Sequence, residues 1–381
     1  MTELTDEQRL IRESARQFAQ NEIVPNALEW DRRGECPKDL FERMGALGLM
    51  GVCVGPQFGG AGADFVSYVL AMEEISAGDG GISNLMAATN SPVCAAIEKY
   101  GTDQQKAAYL PKLCRGEWLG SIHLTEPHTG SDASAITTRA LHDGDGWVLN
   151  GHKAFITAGA SSGVAIIVAV TDPDAGKRGI STFVTPTDVA GYEVIAKERK
   201  LGHRTNDTCQ VRFHNLRLTN DHLLGEAGRG LSIALENLSA GRIAVAAQAV
   251  GGARAAFKLA REYAKARETF GKPIVEHQAI GFMLAQMATD IEAARHLYLH
   301  AAVLKDKGEP CAKEASMAKL FASEVAERVA SQAIQIFGGA GYLEESLVEK
   351  IYRDVRVYQI YEGTSEVQKL LIARMIDEVD T

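Results

Sequence analysis

The hydrophobic period of this chain changes twice, and those changes limit its fold more than any other feature. Up to about residue 118 apolar side chains recur at helical spacing. Leu10, Ile11, Ala15, Phe18 and Ile23 form one face, and Leu40, Phe41, Met44, Leu47 and Leu49 another. Phe65 to Met72, Ala87 to Tyr100 and Gln104 to Cys114 continue the pattern. From about 119 the apolar runs become short: Val164 to Val170, Ile180 to Val184, Tyr192 to Ala196 and Cys209 to Leu218, with turn residues between them. Asn150-Gly151, flanked by strand-like segments, reads as a hairpin turn. After about 228 the helical period returns. Leu231 to Ala266 is followed by faces on Ile280, Met283, Leu284, Met287 and Ile291, on Ala318, Phe321, Val325 and Val329, and on Leu347, Ile351, Val355 and Tyr358. Such blocks are not the strand–helix alternation of a parallel nucleotide-binding sheet. They predict an α+β multidomain chain: an N-terminal helical domain (1–118), a middle β domain of barrel or sandwich type (119–228), and a C-terminal bundle of about four long helices (229–381).

Charge and cysteine usage narrow the function classes. A net charge of −9 argues against nucleic acid or an anionic membrane as partner. The six cysteines are scattered with no C-x-x-C pair, so buried free thiols in a reducing compartment are expected. No apolar run reaches the about 18 residues of a membrane span. Leu4 to Phe18 reads as amphipathic helix rather than a leader, so a cytoplasmic protein is expected. His203 and His214 have no partners at metal-ligand spacing, and no metal site is expected.

The chemistry-bearing stretches are short and polar. His123 to Asp132 is a loop with hydroxyls and a glycine, suited to a ligand with ring heteroatoms and phosphates. Gly228-Arg229-Gly230 lacks the third glycine of a dinucleotide fingerprint, since Ile233 stands in its place. Arg267 to Ile274, with Gln278 after it, joins two helices, and its arginine either holds a pyrophosphate or caps carbonyls. Gln335 to Gly341 ends a helix with more glycine than a cap needs. Near the C-terminus, Tyr361-Glu362-Gly363-Thr364 precedes a helix whose start at Thr364 or Ser365 is marked by a Ser365–Gln368 capping box. Alone, Glu362 reads as a solvated turn carboxylate.

Together these stretches resemble the acyl-CoA dehydrogenase flavoenzymes. T-E-P-x-x-G-S-D lies at 125–132, K-x-F-I-T at 153–157, G-R at 241–242, R-x-x-F-G-x-P-I at 267–274, Q-I-F-G-G-x-G-Y at 335–342 and Y-E-G-T-S-E at 361–366, all in the family's order. The resemblance implies a helical domain, a β-barrel and a four-helix bundle, FAD as cofactor, an acyl-CoA substrate and a homotetramer passing electrons to an electron-transferring flavoprotein. It implies that Glu362 is the catalytic base. It places Leu124, Thr125, Ser131, Phe155, Ile156 and Thr157 beside the flavin, with Thr364, Ser365 and Glu366 at a nearby helix start. Arg267, Phe270, Gln278, Gln335, Gly338 and Gly339 match FAD contacts, those of Arg267, Gln278 and Gln335 to Gly339 coming from a neighbouring subunit. Ser131, Ser239, Arg242 and Gly363 match contacts to the CoA thioester. Phe155 departs from the usual tryptophan. At 241, where some relatives carry the base, this chain has glycine, which leaves Glu362 in the usual place.

Removing an α-proton and a β-hydride from a saturated thioester needs a base, a hydride acceptor and donors to the thioester oxygen. No side chain accepts hydride, so a cofactor must, and FAD N5 fits. Burial against an acyl chain should raise the pKa of Glu362. Leu85, Met86, Thr89, Asn90, Val93 and Cys94 are expected to line the acyl pocket. Rival classes are a flavoprotein oxidase of the same fold, which would form peroxide in air, and a flavin-free helical protein, which would be colourless.

Overall fold

The computed structural model describes residues 3–376. Its N-terminal part consists of α1 (Asp6–Phe18), α2 (Ala27–Arg33), α3 (Asp39–Ala46), α4 (Phe65–Gly78), α5 (Gly80–Ala88), α6 (Ala95–Tyr100) and α7 (Asp103–Cys114). Polar caps set the starts. Thr5 and Thr102 form capping boxes with Gln8 and Gln105, while Asp64 and Asp79 accept from the backbone N–H of Ser67 and Ile82. The expected run from Ala87 to Tyr100 is interrupted at Thr89–Cys94, where Pro92 removes a donor and Ser91 is extended.

The middle part is one seven-stranded sheet of β1 (Leu119–His123), β2 (Arg139–Asp143), β3 (Gly146–Thr157), β4 (Ser162–Val170), β5 (Ile180–Pro186), β6 (Tyr192–Lys197) and β7 (Thr208–Thr219). Its order is β1-β4-β2-β3-β7-β6, with β5 antiparallel on the other edge of β4. Arg139↔Val170 is the one residue pair joining β2 to β4, and among the described residues no pairing links β6 to β1 or β5. The sheet is therefore not hydrogen-bonded into a closed barrel. The hairpin expected at Asn150-Gly151 is not there. β3 runs straight through those residues, and the turn lies earlier, between Asp143 and Gly146. A turn at 150 would break the inward-facing pair Ala140↔Leu149. Asn150-Gly151 instead forms a bulge against β7, where the register slips between Leu149↔Leu216 and Gly151↔Phe213.

The C-terminal part packs α8 (Gly230–Ala266), α9 (Gln278–Asp306) and α10 (Ala312–Phe337), with the small ribbon β8 (Glu268–Thr269) and β9 (Lys272–Pro273) between α8 and α9. The fourth helix is shorter than its apolar period implies: α11 (Leu347–Val355) passes into a tight turn at Arg356–Gln359 before α12 (Ser365–Met375). Buried alanines on α8 (Ala249, Ala253, Ala256, Ala260) and α10 (Ala315, Ala318, Ala322, Ala326) let these backbones approach closely.

Buried charges join the helical layers. Glu73 of α4 accepts from Arg295 at 2.6 and 3.1 Å and from Tyr298, and pairs with Arg254 at 3.3 Å. Glu74 accepts from Arg16 at 2.9 Å and Arg254 at 2.8 Å. Burial opposes ionisation of Glu73, but the two guanidiniums outweigh it and hold its pKa below the ordinary carboxylate value. Lys350 of α11 bridges Asp79 at 2.7 Å and Asp354 at 2.6 Å, tying the bundle to the cap of α5.

Candidate active site

Between α11 and α12 the backbone takes two successive left-handed residues, Glu362 (φ 55°) and Gly363 (φ 87°). Glycine adopts this readily; for Glu362 it costs about 1–2 kcal/mol. Side chains hold the turn. Gln368 Nε2 donates to Glu362 O at 3.1 Å and Gly363 O at 2.9 Å, and Lys319 Nζ donates to Gly363 O at 2.6 Å. The helix cap is Thr364, whose hydroxyl accepts from Val367 N at 3.3 Å. The expected Ser365–Gln368 capping box does not form, because the Gln368 amide is used by those two carbonyls.

The turn faces a cavity of about 750 Å³. One wall carries Leu124, Thr125 and Ser131 from the loop after β1, with Phe155, Ile156 and Thr157 from the end of β3. The other carries Leu238, Gly241, Arg242 and Val245 of α8 with Tyr361, Glu362 and Gly363. Sequence positions more than two hundred residues apart thus share one space.

A buried ion pair builds the first wall. Lys153 Nζ donates to Glu126 Oε1 at 2.9 Å and to Leu124 O at 3.0 Å. Glu126 also accepts from Thr137 N at 2.7 Å, Thr137 Oγ1 at 2.8 Å and Thr138 N at 2.9 Å. Burial works against both charges. Lys153 and the N–H donors nevertheless pull the Glu126 carboxyl down to about 2, while burial lowers Lys153 to about 8. Ala154 N donates to Thr125 O at 3.0 Å, so Leu124 and Thr125 are held from both sides. Phe155 has φ 58° and leaves its ring 66% exposed at the cavity wall.

Glu362 Oε2 and Arg242 Nε are buried and have no protein partner, as is Ser91 Oγ at the cavity edge. Burial raises the Glu362 pKa above its ordinary value, with Arg242 and then Lys319 pulling against that rise. Orphaned polar atoms of both signs, beside apolar surface at Leu124 and Phe155, fit a ligand that is part flat ring and part polar chain. They fit FAD and a CoA thioester.

Other expected residues lie elsewhere. Thr364, Ser365 and Glu366 open α12 next to the cavity without lining it, and Ser239 is half-buried on α8 between lining residues. Arg267, Phe270, Gln278, Gln335, Gly338 and Gly339 are exposed, Phe270 by 97%. Tyr263 stacks on Phe337 at 4.2 Å, which brings the ends of α8 and α10 together there. Arg267 is about 39 Å along the helix line from Gly241, at about 1.5 Å per residue. The residues expected at the acyl pocket do not line this cavity, although Asn90 lines an adjoining one of about 310 Å³ that shares Ser91 with it. Asn84, Ala87, Ala88, Ser91 and Pro92 line the cavity, whereas Leu85, Met86, Val93 and Cys94 pack into the core. Thr89 bonds Gly120 N, and Asn90 bonds Val52 N and Leu49 O. Sequence reasoning also missed Gln248, which lines the cavity and accepts from the Tyr361 hydroxyl at 3.0 Å, as well as Gln368, Lys319 and the Lys153–Glu126 pair. A signal existed for Lys319: a lone charge on the alanine face of α10.

The family models for the acyl-CoA dehydrogenase N-terminal, middle and C-terminal domains match residues 5–117, 121–216 and 228–376. Fold, cavity and these matches define an FAD-dependent oxidoreductase of acyl-CoA thioesters. An acyl-CoA dehydrogenase of Bacillus subtilis is 46% identical over 98% of both chains. Butyryl-CoA dehydrogenase of Megasphaera elsdenii superposes with a TM-score of 0.96 at 40% identity, covering 99% of each chain. A chain in the structure of the electron transferring flavoprotein of Acidaminococcus fermentans gives 0.97 at 40% identity, covering all of both. The chain belongs to the acyl-CoA dehydrogenase family.

Proposed function

We propose that this enzyme converts a short acyl-CoA to its trans-2-enoyl-CoA, with Glu362 as the base that takes the α-proton. The observation that carries this reading is the Glu362 carboxylate. It faces a cavity between two walls, one oxygen lacks a partner, and burial raises its pKa. A carboxylate made more basic by its surroundings is suited to a very weak carbon acid. FAD, when bound, supplies the hydride acceptor. Leu124, Thr125 and Phe155 to Thr157 would hold its ring, and Ser131 would reach both cofactor and CoA. Arg242 would anchor the polar part of the substrate. The N–H of Glu362, fixed by the left-handed turn, would donate to the thioester oxygen and stabilise the charge that develops as the proton leaves.

Butyryl-CoA dehydrogenase among the similar structures supports the short acyl chain. The six exposed residues at the far end of the bundle support a role across a subunit contact in a homotetramer. Phe270 at 97%, Tyr342 at 84% and Leu343 at 57% exposure offer apolar area there. The match to a chain from an electron transferring flavoprotein structure supports such a protein as electron acceptor. Division near residues 118 and 228 follows the changes from helix to sheet and back. No described helix is long and apolar enough to cross a membrane.

The test is anaerobic titration with acyl-CoAs of graded length, following the flavin spectrum. Butyryl-CoA bleaches the flavin of the wild type. Glu362→Gln keeps FAD and binds the thioester but bleaches at least about 100-fold more slowly. Fast bleaching by that variant would remove Glu362 as base.

A further inference from the structure

We propose that Lys319 is a positioning residue for the dehydrogenation: its ammonium pins the turn that carries Glu362 and supplies a fixed positive charge to that carboxylate. This rests on Glu362 being the base.

Lys319 lies on α10 among Ala315, Ala318 and Ala322, the face packed on α8, and is fully buried. A lysine there is costly, since burial penalises its charge; a methionine would fill the same space without that cost. Its Nζ makes one hydrogen bond among the described residues, to Gly363 O at 2.6 Å. That carbonyl belongs to the residue following Glu362, inside the two-residue left-handed turn. Gln368 holds the same carbonyl from α12. The turn is thus clamped by one neutral donor and one charged donor. A clamp alone would need only amides, so the charge calls for a separate reason.

The surrounding charges supply it. Glu362 is faced by Arg242 from α8 and Lys319 from α10, with the hydroxyl-bearing Tyr68 of α4 and the adjacent Tyr361 also close enough to feel its charge. Lys319 in turn faces Glu362, Arg242 and the exposed Glu366. Burial lowers Lys319 to about 8, which leaves it mostly cationic at neutral pH. Arg242 is the residue assigned to the substrate's polar part. Lys319 lies behind the turn and is absent from the cavity wall. When an acyl chain displaces water from Glu362, burial pushes the carboxyl pKa up further. A cation behind the loop limits that rise, so the group is still ionised when the thioester arrives. In the step itself the Cα–H bond breaks and the carboxylate O–H bond forms, the electron pair left on Cα passing toward the thioester carbonyl, while Lys319 keeps its proton throughout.

The experiment uses FAD-loaded enzyme and butyryl-CoA, with the anaerobic bleaching rate measured across the pH range in which the protein stays folded. Lys319→Met and Lys319→Gln both retain FAD. Both shift the pKa governing the rate upward by about one unit, slowing bleaching about tenfold below that pKa. Gln keeps a donor without the charge, so it separates the two roles. Lys319→Arg keeps the charge and returns the profile to that of the wild type. An unchanged pKa in the Met and Gln variants overturns the proposal, and so does an Arg variant that shifts like Met. Should Lys319→Met not fold, the Gln and Arg pair decides the same question. Glu362→Gln is measured alongside. Fast bleaching in that variant defeats the base assignment itself, whereas slow bleaching with unshifted Lys319 profiles defeats the role of Lys319 alone.

Discussion

A Cβ on Gly241 would stand 2.7 Å from Oε2 of Glu362 and 3.0 Å from its Cδ. A side chain at 241 would therefore meet the carboxylate proposed as the base, and the carboxylate would have to shift. Gly241→Ala should displace the carboxylate and slow substrate bleaching of the flavin at least about tenfold, because near-attack geometry is lost by small shifts. FAD content should not change. Stopped-flow bleaching at the wild-type rate would show that Glu362 tolerates the methyl group.

Gln368 clamps the same turn from the other side. Gln368→Leu keeps the buried volume but removes both donors to Glu362 O and Gly363 O. The fold should lose about 1–3 kcal/mol, the cost of leaving Glu362 O unpaired, while Gly363 O keeps its bond from Lys319. Bleaching should slow more than butyryl-CoA binding weakens if the turn aims Glu362 as the proposed base. Thermal unfolding and single-turnover kinetics, compared side by side, check this.

The Lys153–Glu126 pair predicts a stability effect with a cofactor readout. Lys153→Met leaves Glu126 buried without its cation and should cost about 3–5 kcal/mol. It also frees Leu124 O, so FAD should dissociate more readily. Lys153→Met with Glu126→Gln should cost less than the sum of the single changes, because the uncompensated charge is gone. Denaturant unfolding of the four proteins gives the coupling directly.

Two buried histidines predict acid lability. Burial lowers His203 to about 4 and His123 to about 3. Above about pH 6.5 both are neutral whether the chain is folded or not, so their burial then costs nothing in protonation. As pH falls below that value the unfolded chain takes up protons that the folded one refuses, and stability drops until the folded pKa values are reached. At pH 5 each histidine should remove about 2 kcal/mol. His203→Gln should flatten the loss between pH 6.5 and 5 in urea-unfolding midpoints; an unchanged slope would rule out His203 as a source.

The sequence by itself determined the blocks of helix and strand, because apolar period and polar caps act over a few residues. Thr5–Gln8 and Thr102–Gln105 close capping boxes between residues only three apart. It also marked the stretches that meet at the cavity, through hydroxyls, glycines and the Tyr361–Thr364 turn. Long-range packing decided the rest. Asn150-Gly151 has the local chemistry of a hairpin turn, yet β7 pairs on both sides of it and makes it a bulge. Ser365 and Gln368 have the spacing of a capping box, yet the Gln368 amide reaches Glu362 O and Gly363 O, and Thr364 caps the helix. The face that α5 and its extension turn to the cavity follows from what packs behind them, so Asn84, Ala87 and Ser91 line it where Leu85, Met86 and Asn90 were expected. Lys319 is forty-three residues from Glu362 in the chain, and only the packing of α10 against α8 puts its charge behind that carboxylate. The motif Y-E-G-T-S-E at 361–366, through the family resemblance, thus named the carboxylate, which local chemistry alone left as a solvated turn residue. Its basicity is set by burial, Arg242 and Lys319, and these are brought together by tertiary structure alone.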